Sequence, residues 1–389
     1  MTEAEAMAVL VAGISAYGRR EKALAAAGSA LRILEEPEAY AAWLGPEGTA
    51  SLRAAADKAD RMLERMRRSG VTLLLRDSAF YPRLLKQIRH APQLLFCQGS
   101  PDLTDAFPIA AVGTRKPSAY GERNARRIAR ELAAAGCCVV SGLALGIDGA
   151  CHEGALEAGG RTVAVLGGAL DRPYPRENLG LLDRILERGG SVVSEYPPGT
   201  SPSKYSFLHR NRIIAGMVLG VFVAEGRARS GALSTANCAL DEGREVFALP
   251  GSVEEPCAEL PNSLISEGAR LVSSGADILR TLVIEPAAKP APAGREEEKR
   301  GAAVPAPEAA KRTPEKPEEL HVPPTLGGQE QAVCRALLEG STDFDVLCEQ
   351  TGIPSEELGS LLIEMEMDGL VEALPGNEYA PGEAMRRGI

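Results

Sequence analysis

The hydrophobic pattern of residues 109–249 alternates between short apolar runs and longer amphipathic stretches. The apolar runs are continuous stretches of Val, Ile, Ala and Leu, without the polar alternation of a half-exposed strand. Strands of this kind are covered on both faces, which is typical of a parallel, doubly wound α/β sheet. The predicted strands are 109–112, 137–140, 162–166, 191–194, 218–224 and 246–249, with a short one at 271–272. The predicted helices are 120–135, 148–158, 177–187, one from about 210, and 232–242.

Residues 1–70 have a different pattern, because Leu, Met and Ile recur at helical spacing in Ala-rich stretches. This pattern predicts an N-terminal helical domain of the SAM or helix-hairpin-helix kind. The turn from Val11 to Ile14 resembles a helix-hairpin-helix turn, which can bind backbone phosphate. The alternative is a small helical bundle that serves only for packing. The helix from Arg61 to Arg68 carries four arginines, for which a solvated face is expected.

The C-terminal part of the chain divides into two segments. Residues 286–324 are rich in Pro, Ala, Glu and Lys and lack any apolar period, which predicts a disordered linker. Residues 325–389 contain three helical patterns and a hairpin turning at 375–377, which together predict a winged helix. The predicted domains are therefore 1–70, 71–285, 286–324 and 325–389.

The composition places the chain among ordinary globular proteins, with 44% hydrophobic and 25% charged residues. No apolar run approaches the ~18 residues that a membrane helix needs. Glu3 and Glu5 stand where a signal peptide would carry Lys or Arg, so we expect a cytoplasmic protein. The eight cysteines form no CxxC pair, and the four histidines share no ligand spacing. Buried thiols are therefore expected, with no disulfide framework and no metal site.

The net charge of −10 is distributed unevenly. Residues 1–107 carry 14 Lys+Arg against 13 Asp+Glu, and residues 108–283 carry 19 of each. Residues 284–389 carry 10 against 21, so the acidity belongs to the C-terminal part. A neutral α/β core can still present a local basic groove, and phosphate responds to local charge.

Three segments that follow predicted strands combine small residues, cations and an aromatic ring. The first contains Gly113, Thr114 and Arg115, and the second runs from Ser141 to Asp148. The third runs from Ser203 to Arg212 and begins inside a predicted long loop, 195–208. It supplies a cation for phosphate and a ring for base stacking. Its candidate residues are Lys204 and Phe207. Because strand ends and helix N-termini of α/β sheets bind phosphate, these segments together predict a site for single-stranded DNA.

Other chemistries find little support in the sequence. There is no Gly-x-Gly-x-x-Gly after the first strand, no P-loop and no Gly-x-Ser-x-Gly, so no cofactor is expected. Glu195 and Glu225 lie at strand ends, but neither has an adjacent partner for acid–base work. We therefore expect no catalytic residues.

The motifs of residues 71–285 together resemble those of the DNA-processing protein A family, also called DprA or Smf. The matching pieces are Tyr81-Pro82; Val112-Gly113-Thr114-Arg115 with Ser118 and Tyr120-Gly121; Ser141-Gly142, Ala144 and Gly146-Ile147-Asp148; Gly168, Asp171, Tyr174-Pro175 and Asn178; Ser194-Glu195-Tyr196-Pro197; Arg210-Asn211-Arg212-Ile213-Ile214; Ser230-Gly231; Gly243-Arg244 and Val246; and Pro250-Gly251.

The resemblance implies an extended Rossmann-like fold that binds single-stranded DNA without catalysis. It also implies a homodimer that protects incoming DNA and loads the recombinase RecA during natural transformation, displacing single-strand-binding protein. Arg115 and Lys204 would contact phosphates, and Phe207 would stack on bases or separate them. The other implied DNA-binding positions are Gly113, Thr114, Ser141, Gly142, Arg210 and Arg212.

Two positions depart from the family pattern. Leu208 stands where the family often has Pro, and Leu260 stands where it usually has Gly, which puts the role of Asn262 in doubt. Leu264 and Ile265 in the same stretch are candidates for a dimer surface.

The predicted winged helix is acidic, with 3 Lys+Arg against 13 Asp+Glu in residues 325–389. A duplex-binding winged helix needs the opposite balance. We therefore expect this domain to contact protein, either a partner subunit or the basic groove itself.

Two alternative functions remain open on the sequence alone. One is a nucleotide-hydrolysing enzyme like the phosphoribohydrolases, which share a related fold. Such an enzyme would carry a Pro-Gly-Gly-x-Gly-Thr loop, whereas Pro250-Gly251 is followed here by Ser252-Val253. The other is a passive nucleotide sensor.

Overall fold

The computed structural model describes residues 1–228, 230–283, 326–338, 340, 344–367, 370–374, 378–382 and 385. The predicted linker and the predicted hairpin turn at 375–377 lie outside the described residues. The three boundaries between the predicted domains and linker stay predictions.

The N-terminal domain is helical, as its sequence pattern predicts. Its helices are α1 (Glu3–Gly13), α2 (Tyr17–Ala27), α3 (Ala30–Glu35), α4 (Ala41–Ala56) and α5 (Ala59–Arg68). A capping box starts α1, in which the Glu5 amide donates to the Thr2 hydroxyl (3.2 Å) and the Thr2 amide donates to the Glu5 carboxylate (2.8 Å). Leu10, Ile33 and Leu52 pack into one cluster with Phe96 of the sheet, so this domain rests directly on the α/β core.

The α/β core is built on a nine-stranded sheet with the order β1-β2-β6-β5-β4-β3-β7-β8-β9. Its strands are β1 (Thr72–Leu75), β2 (Leu94–Gly99), β3 (Pro108–Val112), β4 (Cys138–Ser141), β5 (Thr162–Leu166), β6 (Ser191–Ser194), β7 (Gly220–Val223), β8 (Glu245–Ala248) and β9 (Arg270–Leu271). From β3 onwards every strand pair is parallel, whereas β2 runs antiparallel to both β1 and β6. The predicted Rossmann-like α/β class is therefore confirmed, with an antiparallel extension at one edge.

Helices cover both faces of this sheet. They are α6 (Ala119–Ala134), α7 (Ile147–Glu157), α8 (Leu179–Glu187), α9 (Lys204–Gly216), α10 (Gly231–Asp241), α11 (Glu259–Ser266) and α12 (Gly275–Thr281). Ala110 and Val112 of β3 pack with residues of α9 and α10, while Ile109 and Ala111 pack with residues of α6 and α7. Because successive strand residues point to opposite faces, the continuous apolar strands fill two separate cores.

Helix α9 corrects one prediction from the sequence. The sequence pattern predicts a loop at 195–208 and a helix from about 210, but the helix already begins at Lys204. The reason is a capping box, in which the Ser206 amide donates to the Ser203 hydroxyl (3.0 Å) and the Ser203 amide donates to the Ser206 hydroxyl (2.8 Å). The Ser, Pro, Lys and Tyr content that suggested a loop includes this helix start.

The C-terminal domain has the predicted three helices and hairpin. They are α13 (Gly328–Leu338), α14 (Phe344–Thr351), α15 (Ser355–Met367), β10 (Val371–Leu374) and β11 (Glu378–Pro381). The two strands pair antiparallel, and Leu347, Leu358 and Leu362 contribute to a small core of their own.

Close packing between α6 and α7 generates a stability prediction. A Cβ atom on Gly154 of α7 would overlap the carbonyl oxygen of Arg126 on α6. Gly154→Ala is therefore expected to lower the free energy of unfolding by about 1–3 kcal/mol, since an overpacked backbone contact forces a shift. Urea unfolding followed by far-UV circular dichroism measures this loss.

The matched control is Gly180→Ala in α8, where nothing lies within 4 Å of the added Cβ. Alanine has the higher helix propensity, so the control is expected to be neutral or to stabilise by up to ~1 kcal/mol. Similar effects of the two substitutions would contradict the packing argument.

Candidate nucleic-acid interface

The first two predicted segments meet at the carboxyl ends of β3 and β4. The Thr114 amide donates to the carbonyl of Glu225 (2.7 Å), and the Thr114 carbonyl accepts from the amide of Ile147 (3.2 Å). A Cβ on Gly113 would lie 2.7 Å from the Glu225 carbonyl, so only glycine allows this close approach. The segments that follow β3 and β4 thus form one surface.

The segment after β4 is held by hydrogen bonds inside the protein. The Ser141 hydroxyl donates to the carbonyl of Ala111 (2.6 Å) and is fully buried. The amide of Gly142 donates to the carboxylate of Asp148 (3.1 Å). Leu143 adopts a φ of 58°, a left-handed conformation that is uncommon for a residue other than glycine. Strained backbone of this kind persists only where the surroundings fix it, and it concentrates at functional sites.

Phe207 lies at the centre of the third segment, on the second turn of α9. The guanidinium carbon of Arg115 lies 5.3 Å from the centroid of its ring, and that of Arg210 lies 5.9 Å from it. Tyr174 is a ring neighbour at 5.9 Å between centroids, and a Cβ on Gly167 would lie 2.6 Å from the Phe207 ring. The structure therefore brings together the cation after β3 and the ring of α9, as the sequence predicts.

Tyr174 is a member of this cluster that was not among the candidate site residues. Its side chain is 48% exposed, which leaves a large part of the ring open to solvent. The signal was present in the Tyr174-Pro175 motif, but nothing in the sequence indicated that this segment would lie beside Phe207.

Arg210 lies beneath Phe207, and its guanidinium is engaged inside the protein. The residue is 6% exposed, and its side chain donates to the carbonyls of Gly142 (3.0 Å) and Val165. Burial lowers its pKa to about 10, although the neighbouring Asp148 carboxylate opposes the shift. Burial likewise raises the pKa of Asp148, with Arg210 acting against it. Arg210 thus connects the ends of β4 and β5 under the exposed part of the site.

Arg212 has other partners. Its guanidinium pairs with Glu195 and donates to the carbonyl of His90 (2.6 Å), and only 14% of its side chain is exposed. Burial opposes ionisation of Glu195, but Arg212 and His209 outweigh it and lower the pKa of the carboxyl. The structure does not bring Arg212 to the Phe207 ring, and its predicted contact with DNA stays a prediction.

Lys204 is exposed on the first turn of α9, and the next residue contacts the winged helix. The ring of Tyr205 stacks on Phe344 of α14, with centroids 5.4 Å apart and planes at 14°. Gly359 of α15 lies so close that a Cβ there would overlap the Tyr205 ring. The C-terminal domain therefore packs beside the candidate site.

The N-terminus of α6 is occupied by the protein itself. Glu225, which follows β7 and is 2% exposed, accepts from the Ser118 amide (2.8 Å) and the Ser118 hydroxyl (2.5 Å). A Rossmann dinucleotide site places a pyrophosphate at this position. The cavity of about 520 Å³ beside Glu225 therefore has a carboxylate where a phosphate would bind.

The candidate dimer residues lie on α11. Leu264 is 3% exposed and belongs to a core cluster together with Leu260, while Ile265 is partly buried against that cluster. Asn262 exchanges hydrogen bonds with the backbone of Gly251, at 3.2 and 3.0 Å. The departure at Leu260 thus leaves Asn262 bracing a loop, and the dimer surface stays a prediction.

The fold and the site together define a Rossmann-like protein with a basic, aromatic strand-end surface and an appended winged helix. The family model for DNA recombination-mediator protein A matches residues 72–283, and that for the DprA winged helix domain matches residues 313–377. The chain belongs to the DNA recombination-mediator protein A family. No helix among the described residues is long and apolar enough to cross a membrane.

Individual relatives agree with this assignment. The chain is 39% identical to Protein Smf of Escherichia coli over 305 residues, which cover 78% of this chain and 76% of that protein. The structure of DNA processing protein A from Streptococcus pneumoniae superposes with a TM-score of 0.61 at 35% identity, covering 72% of this chain and 98% of that one. A structure of the Helicobacter pylori protein, described by its single-stranded DNA binding mode, has a TM-score of 0.50 at 30% identity and covers 55% and 95% of the two chains.

A buried histidine next to the site generates a pH prediction. His152 of α7 is fully buried, its Nδ1 lies 2.7 Å from the Thr162 hydroxyl, and burial lowers its pKa to about 3. An unfolded chain protonates this side chain near pH ~6.5, so the unfolded state binds the additional proton below that pH. Stability is therefore expected to fall as the pH drops from about 6.5 towards 3, by ~1.4 kcal/mol per pH unit for this residue.

His152→Gln tests this prediction through the slope and not through the absolute stability. The free energy of unfolding is measured between pH 6 and 4. Its fall with decreasing pH should be less steep in the variant than in the unchanged protein, by ~1.4 kcal/mol per pH unit. Parallel slopes would mean that His152 is not the group responsible.

Proposed function

We propose that this protein is a single-stranded DNA-binding recombination mediator that works by binding and not by catalysis. The observation that carries the proposal is the cluster of Arg115, Phe207 and Tyr174, with the exposed Lys204 one helical turn away. A cation beside partly exposed rings suits a strand whose bases are free to stack, whereas duplex bases are already stacked. Membership of the recombination-mediator family supports the same conclusion, as does the single-stranded DNA binding named for the Helicobacter pylori relative.

Each site residue receives a role from its surroundings. Arg115 and Lys204 are exposed, so they are the residues that contact phosphates. Phe207 and Tyr174 offer ring faces to bases. Arg210 is a positioning residue, because its guanidinium is engaged with carbonyls under the Phe207 ring.

The small residues of the site allow close approach. A Cβ on Gly113 would overlap the Glu225 carbonyl and one on Gly142 would overlap the Arg210 guanidinium, so these glycines let the segments under the site pack closely together. Thr114 adds a hydroxyl beside them, and Ser141 fixes the base of the loop through its bond to the Ala111 carbonyl.

The cellular role follows from family membership. We infer that the protein holds and protects incoming single-stranded DNA as a homodimer and loads RecA onto it, displacing single-strand-binding protein. Sequence-independent stacking and phosphate contacts suit this role, since a mediator must accept any strand.

The nucleotide-hydrolysing and nucleotide-sensing alternatives are less favoured. The N-terminus of α6 is filled by Glu225, which would repel a mononucleotide phosphate placed there. The loop at Pro250-Gly251 also continues with Ser252-Val253, without the glycines of the phosphoribohydrolase motif.

Binding of fluorescent oligo-dT, compared with a mononucleotide, tests the proposal. Arg115→Ala and Lys204→Ala are each expected to weaken oligo-dT binding about ten-fold or more, because a hydrogen bond to a charged group contributes ~1.5–3 kcal/mol. Each should also reduce the salt slope by about 0.7, the value for one phosphate of a single strand. Arg280→Ala, at an exposed ion pair on α12, is the control and should change neither quantity.

A result in which the mononucleotide binds as tightly as oligo-dT would favour the sensor. Hydrolysis of a mononucleotide would favour the enzyme. Either result would refute the mediator.

The winged helix generates a second prediction about DNA affinity. The domain packs on Tyr205, the residue next to Lys204, and residues 325–389 carry 3 Lys+Arg against 13 Asp+Glu, so we expect it to oppose binding of the phosphate backbone. Gly359→Leu should displace the Tyr205 ring and loosen the docked domain, since the new side chain would overlap it. The affinity of this variant for oligo-dT at low salt is expected to rise several-fold. Removal of residues 286–389 should also raise this affinity.

Gly328→Leu in α13 is the matched control, because nothing lies within 4 Å of a Cβ at that position. Limited proteolysis at the junction of the two domains reports the loosening independently of DNA. A large loss of DNA affinity on removal of residues 286–389 would contradict an opposing role for this domain.

A further inference from the structure

Helix α5 of the N-terminal domain carries a stripe of basic side chains that the proposed function does not use. Lys58 at the N-cap and Arg61, Arg65 and Arg68 within the helix recur at intervals of three, four and three residues, which places them along one side of α5. All four residues are exposed, while the buried Leu63 and Met66 hold the helix against the core. These four residues form the basic stripe.

The basic stripe reaches the loops of the candidate DNA site through Arg65. Its guanidinium lies 3.0 Å from the carboxylate of Asp171, although 60% of the Arg65 side chain remains exposed. The same carboxylate accepts from the amide of Gly199 at 3.0 Å. Asp171 therefore joins α5 to two loops, one after β5 and one after β6.

The residues next to Asp171 continue the path to the aromatic cluster. Arg172 donates to the hydroxyl of Ser201 at 2.9 Å, and two positions further on Tyr174 contacts Phe207. A chain of contacts thus runs from Phe207 through Tyr174 and the Asp171-Arg172 pair to Arg65. Exposed cations occur along its whole length, from Arg115 at one end to the basic stripe at the other.

We propose that the basic stripe is a second contact surface for single-stranded DNA, which binds the phosphate backbone where a strand leaves the aromatic cluster of Phe207 and Tyr174. This inference rests on the proposed function and extends it to the N-terminal domain. Helix α5 contains no aromatic residue, so its contribution is electrostatic and independent of base identity. A strand too short to extend beyond the aromatic cluster does not reach the basic stripe.

The test compares oligo-dT of about 6 and about 20 nucleotides, a range that brackets common single-strand site sizes. Arg61→Ala combined with Arg68→Ala removes two charges of the basic stripe, breaks the exposed ion pair of Arg68 with Glu64 and leaves the Arg65–Asp171 ion pair in place. The full-length double variant should bind the longer strand several-fold more weakly, with a salt slope smaller by about 0.7 per lost phosphate contact. Its affinity for the shorter strand should stay unchanged.

The matched control is Arg270→Ala combined with Arg280→Ala, which removes the same charge from exposed ion pairs near β9. The strand β9 forms the sheet edge opposite β1, so this pair should leave both affinities unchanged. Circular dichroism melting checks that both double variants fold.

An unchanged affinity of the Arg61 and Arg68 variant for the longer strand would overturn the inference and leave the mediator intact. An equal loss of affinity for both strand lengths would also overturn the inference, since such a loss would show that the substitutions act through the aromatic cluster. Failure of the unchanged protein to bind either strand would refute the proposed function and this inference together.

Discussion

The candidate site depends on one buried cation, the guanidinium of Arg210. Placing a charge out of water costs several kcal/mol unless hydrogen bonds and opposite charge offset the cost. Carbonyls at the ends of β4 and β5 accept from it, and the carboxylate of Asp148 lies nearby. Asp148 in turn holds the amide of Gly142. The backbone after β4 and the position of Phe207 are therefore fixed by the same pair of charges.

The same arrangement separates the residues that shape the site from those that can contact a ligand. The guanidinium groups of Arg210 and Arg212 donate to carbonyls and to Glu195 inside the protein. Arg115 and Lys204 are exposed to solvent. Glu225 makes a similar distinction at the neighbouring strand end, because it caps α6 with a carboxylate and leaves no anion position there. The carboxyl ends of the strands thus hold two different sites. The cluster of Arg115 and Phe207 suits phosphate, whereas the N-terminus of α6 beside Glu225 would repel it.

The sequence predicted the sheet well because continuous apolar strands and glycine turns are local signals. It also predicted that the segments after β3 and β4 would meet Phe207, since the ends of parallel strands share one edge. It failed at the start of α9, where the cap of Ser203 and Ser206 has the composition of a loop. It could not reveal Tyr174, nor that Arg210 is buried under Phe207, because both depend on packing between distant segments. The ion pair of Arg65 with Asp171 was equally hidden, as it joins two domains.

Helix α9 has a geometric consequence for how the two ends of the protein cooperate. Tyr205 and Phe207 are two residues apart, so they point about 200° from each other around the helix axis. The winged helix and a bound strand would therefore hold opposite sides of the same helix, and neither would have to displace the other. Their interaction would be carried by charge through the water around Lys204, which dissolved ions screen within about 8 Å at physiological ionic strength. The acidic domain would then lower the affinity for single-stranded DNA by an amount that depends on ionic strength. It would not block the site sterically.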